Sequence, residues 1–205
     1  MGFELIDNLF QTVWLSASAL AAGILAFRRR NRKILILALG YACFSMGTLY
    51  WLLNLAIINR PPRVFYVSEI SWLAAYLFYL SLQIARTEGV RVRFSAIPAA
   101  CAAVIAAAGT LFGVLGPSRF MSALFGIVAG AIAYFSVFRL MRRETRRAAD
   151  GVMLACVVLQ IAVYRISGTL VNDYTRFNLY FAVDMLMTVL FSAMLPMICR
   201  EEAGK

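Results

Sequence analysis

The chain has 205 residues, of which 62% are hydrophobic and 15% are charged, and it contains no histidine. A water-soluble domain of this size could not bury so much apolar surface, so the composition excludes an ordinary soluble fold and indicates a membrane protein. The net charge of +10 does not indicate nucleic-acid binding, because the basic residues cluster in short segments between apolar runs.

Seven apolar runs of about 20 residues each predict seven transmembrane helices. In chain order they cover approximately Asn8–Phe27, Ile34–Ile58, Val64–Ala85, Phe94–Leu115, Met121–Leu140, Val152–Val171 and Asn178–Ile198. The connections between them are too short to form a soluble domain. Residues 1–205 are therefore predicted to form a single all-α, polytopic bundle in the lipid bilayer, with neighbouring helices antiparallel.

The distribution of lysine and arginine predicts the orientation of this bundle. The first, third and fifth loops, around residues 28–33, 86–93 and 139–147, are rich in basic residues, whereas the other three loops carry few. Positive charge is retained in the cytoplasm. The N-terminus is therefore predicted to lie outside the membrane and the C-terminus inside the cell.

Small residues dominate the fourth and fifth predicted helices. The fourth is rich in alanine, and the fifth carries Gly126 and Gly130, which are four residues apart. Such residues let two helix backbones approach closely in lipid. We expect these helices to pack against each other within one chain, and a homodimer or a membrane partner using the same surface is the alternative.

Three ionisable residues, Glu69, Arg165 and Asp184, lie within predicted membrane spans. Charged groups in a bilayer are costly unless they are paired or hydrated, so they are good indicators of function. At 1.5 Å per residue, all three lie roughly 8 to 9 Å from the outer ends of their helices. We therefore expect them to converge on one chamber that opens to the outside.

Polar and aromatic residues at similar depth are predicted to line this chamber: Tyr50, Asn54, Trp72 and Tyr180. One guanidinium between two carboxylates leaves a formal charge of −1, which favours a cationic or amine-bearing ligand, or a proton held on one carboxylate. The alternative is that Glu69 and Asp184 clamp Arg165 in a buried triad that only fixes helix packing.

The residue inventory disfavours several other classes of protein. Without histidine the chain has no catalytic His–Asp pair and no His-ligated metal, and its four cysteines lack the spacing of a zinc or redox site. The only lysines, Lys33 and Lys205, lie outside the predicted spans, which excludes a retinal Schiff base. Neither a cofactor, a metal nor an enzymatic activity is therefore expected.

Two short segments carry a resemblance to a known group of proteins. The sequences Thr48-Leu49-Tyr50-Trp51 and Tyr66-Val67-Ser68-Glu69-Ile70-Ser71-Trp72 are similar to a pattern that recurs in small bacterial seven-helix membrane proteins of unassigned activity. That pattern has an acidic residue where this chain has Thr48. The resemblance implies a multi-pass protein of the bacterial inner membrane.

The sequence is best interpreted as an integral membrane protein that binds a small polar solute, with a cation as one candidate, in a cavity in the outer half of the bundle, and transport of this solute is a further option. One alternative is a seven-helix sensor that signals through a separate cytoplasmic partner, with the basic segment Arg139–Arg147 as the docking surface. Another is a structural subunit whose buried charges only fix helix packing.

Overall fold

A computed structural model of the protein describes residues 2–91, 93–113, 119–142, 148–171 and 173–203. All regular secondary structure in these residues is helical, which confirms the predicted all-α class, whereas the orientation of the termini stays a prediction. The helices are α1 (Phe3–Arg29), α2 (Arg32–Leu53, continued by a π-helical turn over Asn54–Ile58), α3 (Tyr66–Thr87), α4 (Ala96–Gly113), α5 (Arg119–Leu140), α6 (Ala148–Thr169) and α7 (Leu179–Ala203).

Six of the helices, all except α4, are long and apolar enough to cross a membrane. The apolar part of α4 is shorter, Ala96–Phe112, and the predicted end of this span at Leu115 lies outside the described residues. Large apolar side chains such as Leu20, Phe27 and Phe94 are exposed on the outside of the bundle. Such a surface is suited to lipid and not to water.

The six long helices form a ring. In order around it, α1 packs on α2, α2 on α3, α3 on α5, α5 on α6, α6 on α7, and α7 returns to α1. Helix α4 lies outside this ring, against α5 and α6. The ring therefore surrounds a common centre, to which residues from distant parts of the chain contribute.

The small residues predicted to mediate helix packing do so within the chain. A Cβ atom added at Gly126 would lie 2.8 Å from the carbonyl oxygen of Ala106, and one added at Gly130 would lie 2.8 Å from that of Ala102. The glycines thus allow α4 and α5 to pack backbone against backbone. A homodimer or a membrane partner stays a prediction.

One end of the ring, which we call the network end, is closed by buried ion pairs. Arg86 of α3 binds Asp150 of α6 at 2.8 Å and Glu201 of α7 at 2.7 Å. Arg139 of α5 binds the same Asp150 at 3.1 Å. The sequence predicts that both arginines belong to loops, but they lie in the last turns of their helices and are buried. Four helices are thereby fastened to one another at this end.

The opposite end of the ring, which we call the cavity end, is organised by backbone and side-chain caps. The first amides of α1, those of Phe3 and Glu4, donate to the carbonyl oxygens of Thr175 and Tyr174 in the connection before α7. The side chain of Asn178 accepts from the Tyr180 amide at 3.0 Å and begins α7. These bonds hold the start of α1 beside the start of α7.

Candidate functional site

A cavity of about 560 Å³ occupies the cavity end of the ring. Every one of the seven helices contributes to its wall, together with Pro61 and Phe65 from the connection before α3 and Tyr174 from the connection before α7. This volume is within the range of ligand-binding pockets, about 300–1,000 Å³. The cavity is therefore large enough for a small metabolite.

The charged residues of the cavity wall are all acidic. Glu4 of α1, Glu69 of α3 and Asp184 of α7 line it, and neither lysine nor arginine is among the described lining residues. The Glu4 carboxylate accepts from the indole nitrogen of Trp51 at 2.8 Å. The site thus carries more negative charge than the −1 expected from the sequence.

Behind Asp184, towards α1, lies a second carboxyl group, that of Asp7. The side-chain amide of Gln11 donates to Asp184 Oδ2 at 2.6 Å and to Asp7 Oδ2 at 3.2 Å. Asp7 is 1% exposed and Asp184 is 6% exposed. One amide group therefore joins two buried carboxyl groups.

In the part of the chain that the structure describes, two polar atoms of the cavity wall lack a hydrogen-bond partner. Glu69 Oε2 and the indole nitrogen of Trp72 are buried, and neither has a hydrogen-bond partner among the described residues. A buried polar group without a partner costs roughly 1–3 kcal/mol. The two residues are three apart on α3 and line the same cavity, so a ligand offering a donor to Glu69 and an acceptor to Trp72 would satisfy both.

Aromatic rings line the cavity from every helix except α1. They belong to Phe44, Trp51, Trp72, Tyr76, Phe112, Phe125, Tyr164 and Tyr180, with Phe65 and Tyr174 added by the connections. The Trp51 and Trp72 rings are stacked, with centroids 6.2 Å apart. A Cβ atom at Gly47 would lie 2.6 Å from the indole nitrogen of Trp72, so the glycine makes room for this ring.

The structure brings together several of the predicted site residues. Glu69, Trp72, Tyr180 and Asp184 all line the cavity, although they come from distant parts of the sequence.

Arg165 lies outside the cavity lining, so the expected convergence of three charges applies to the two carboxylates alone. Its side chain is exposed, and the guanidinium carbon lies 5.4 Å from the ring centroid of Phe112, which does line the cavity. Within the described part of the chain it makes no ion pair with Glu69 or Asp184, so the expected triad is not formed. The reason is that residue 165 lies on the outer face of α6.

Tyr50 and Asn54 also lie outside the lining. The Tyr50 hydroxyl donates to the Val64 carbonyl at 3.1 Å, and the Asn54 amide donates to the Tyr50 carbonyl at 2.9 Å. Their polar groups therefore serve the end of α2 and its connection to α3.

Sequence reasoning missed Glu4 and Asp7 as site residues, because the first span was predicted to begin at Asn8, whereas α1 begins at Phe3. A signal was present: Asp7 and Gln11 are one helical turn apart and continue a polar stripe towards the N-terminus.

The connection before α7 has its own electrostatic anchor. Asp173 accepts hydrogen bonds from the Thr175 amide at 2.8 Å and from the Thr175 hydroxyl at 2.6 Å. These two bonds stabilise the ionised form and hold the pKa of Asp173 below its usual range. Because Thr175 also accepts from the first amide of α1, this small motif helps to position α1 at the cavity.

Among the described residues, no group of three or more cysteine, aspartate and glutamate side chains is arranged to hold a metal ion. Comparison of the chain with models of known protein families, with curated proteins and with solved structures gives no match.

Proposed function

We propose that this integral membrane protein binds a small organic cation in the cavity, and that transport of this cation across the membrane is its function. The observation that carries the proposal is the composition of the wall: three carboxylates and many aromatic rings, without lysine or arginine among the described lining residues.

Electrostatics favours a cation in this site. Glu4, Glu69 and Asp184 face a space that lies within a bundle embedded in lipid, where the effective dielectric constant is low and charges interact strongly. A monovalent cation would offset part of this negative charge, whereas an anion would be repelled.

The aromatic wall indicates that the ligand is organic and not a bare metal ion. Aromatic faces attract ammonium groups by about 0.5–2 kcal/mol each and also accommodate an apolar body. The unpartnered Glu69 Oε2 favours an ammonium that carries N–H donors, and the unpartnered indole of Trp72 favours a ligand oxygen nearby. An amine with a hydroxyl or carbonyl group meets both requirements.

The orientation follows from the basic loops. The network end carries the segment Arg28–Lys33 together with Arg91, Arg93 and Arg142. By the positive-inside rule this end is cytoplasmic, so the cavity opens to the outside of the cell and the N-terminus is external. The resemblance of the Thr48–Trp51 and Tyr66–Trp72 segments supports the bacterial inner membrane as its location.

The binding test uses the tryptophans of the wall as reporters. Trp51 and Trp72 line the cavity, whereas Trp14 does not, so the Trp14→Phe variant reports on the site alone. We expect phenethylammonium to change this fluorescence, while the neutral phenethyl alcohol and the anionic 3-phenylpropionate do not. Equal binding of all three compounds would remove the charge argument.

A matched pair of variants on α3 tests the role of Glu69. Glu69→Gln keeps the shape and removes the charge, so phenethylammonium should bind about tenfold or more weakly, since a charge-assisted hydrogen bond contributes about 1.5–3 kcal/mol. Glu88→Gln removes an exposed carboxylate at the other end of the same helix and should leave affinity unchanged. Unchanged affinity in Glu69→Gln would contradict the proposed site.

Flux decides between transport and the alternative functions. In proteoliposomes, labelled phenethylammonium should exchange across the membrane through the wild-type protein and much less through Glu69→Gln. Binding without flux would favour the sensor, whose docking segment Arg139–Arg147 lies partly outside the described residues. If the labelled phenethylammonium is recovered without chemical change inside and outside the proteoliposomes, the result would agree with a protein that is not an enzyme.

A further inference from the structure

Asp7 and Asp184 form a buried carboxyl pair at the edge of the cavity, and the chemistry of this pair points to a second ligand. Only Asp184 lines the cavity, whereas Asp7 lies behind it on α1. Both accept from Gln11 Nε2, and both are more than nine-tenths buried. Two acidic groups therefore lie side by side with little exposure to water.

No positive charge compensates this pair within the described part of the chain. The titratable groups that face it are Glu4 from α1, Tyr180 from α7, Tyr76 from α3 and Tyr164 from α6. The ion pairs among the described residues all involve other carboxylates. With one acid and three phenols as neighbours, the two carboxyl groups cannot both be ionised at low cost.

The hydrogen bonding of Asp7 gives an independent indication. Its Oδ1 atom is buried and has no partner among the described residues, although Oδ2 accepts from Gln11. Gln11 can supply donors to this pair, but two ionised carboxylates can only accept. A proton on one of them would add the missing donor, because a protonated carboxyl group donates an O–H to its neighbour.

We propose that Asp7 and Asp184 together hold one proton, which is released when an organic cation binds beside Asp184. This inference rests on the proposed function and extends it to proton-coupled exchange. One positive charge enters the site as the cation and one leaves to water as the proton, so the charge of the site is conserved. Cation and proton then compete for the same pair, which would couple export of one to entry of the other.

Proton release on binding is measured with phenethyltrimethylammonium, whose own charge does not depend on pH. In weakly buffered solution with a pH indicator, the wild-type protein should release up to one proton per bound probe. As the pH rises through the range in which the pair is protonated, the Kd of the probe should fall by about tenfold per pH unit. At higher pH, where the pair has lost its proton, the Kd should become constant. Binding of the probe without proton release and with a constant Kd would overturn the exchange while leaving the proposed function intact.

Three isosteric variants assign the proton. Asp7→Asn should still bind the probe, because Asp7 lies outside the cavity lining, but it should release no proton and its Kd should be independent of pH. At saturating probe, Glu4→Gln and Glu69→Gln should still release the proton, although they bind the probe more weakly. Release that persists in Asp7→Asn, or that is lost in either glutamate variant, would overturn the assignment to the pair.

Infrared spectroscopy tests the shared proton without any ligand. The wild-type protein should show the C=O band of a protonated carboxyl group, and this band should be lost on addition of the probe and be absent from Asp7→Asn. If Asp7→Asn does not fold, Asp184→Asn provides the same spectroscopic comparison. A wild-type spectrum without the band, or a band that persists when the probe is bound, would overturn the inference, whereas the proposed function fails only if no cationic probe binds.

Discussion

Replacement of Asp150 by asparagine tests whether the buried ion pairs stabilise the network end. Asp150 is 0% exposed and its carboxylate accepts from Arg86 at 2.8 Å and from Arg139 at 3.1 Å. Asparagine keeps the size of the side chain and removes its charge. Among the ion pairs that these two buried guanidinium groups form with described residues, only those with Glu201 then remain.

The expected loss of unfolding free energy depends on how closely Glu201 contacts each of the two arginines. Arg86 retains a close pair with it, at 2.7 Å, whereas Arg139 is 3.9 Å away. Arg139 therefore loses its near carboxylate while it remains buried. Removing one partner of a buried ion pair costs about 3–5 kcal/mol, so we expect the free energy of unfolding to fall by this amount.

The assay is denaturant unfolding of the purified protein in mixed micelles, followed by circular dichroism. The Glu88→Gln variant, which removes an exposed carboxylate, serves as the control and should change the unfolding free energy much less. The second change Arg139→Gln in the Asp150→Asn background should recover part of the loss, because it removes a buried positive charge whose nearest carboxylate has been neutralised. A loss below about 1 kcal/mol in Asp150→Asn, the value of an exposed pair, would refute this reasoning.

Two further predictions concern the cavity end. The Gly47→Ala variant places a methyl group against the Trp72 indole, so it should destabilise the protein by about 1–3 kcal/mol and shift the tryptophan emission. The control is Gly23→Ala, whose added Cβ meets no atom within 4 Å, and it should change neither stability nor emission. The Thr175→Val variant removes one of the two hydrogen bonds that lower the Asp173 pKa, so NMR titration should show this pKa rising towards its usual value. In the wild type, the stabilisation from Asp173 is present above its unfolded-state pKa and is lost as pH falls through the lowered folded-state pKa, so the loop should loosen only in strong acid. An unmoved titration curve in Thr175→Val would show that the hydroxyl bond is unimportant.

The helical architecture could be predicted from the sequence because it depends on local composition. Long apolar runs must form helices in lipid, since every backbone polar group needs an internal partner there. The small residues around Gly126 likewise predicted the close contact of α4 with α5. The Asp150 network was harder to predict, because Arg86 and Arg139 were counted only as loop charges and their carboxylate partners lie in two other helices.

The sequence by itself determined the depth of each polar residue, because the helical rise is constant along a span. It therefore placed Glu69 and Asp184 at the level of one cavity. Only the tertiary structure decided which way each side chain faces, because the rotation of a helix about its axis is fixed by its packing against neighbours. That rotation leaves Arg165 on the outside of α6, and the docking of α1 against the connection before α7 brings Asp7 to the back of Asp184. The negative charge of the cavity is thus a property of the assembled bundle and not of any single segment.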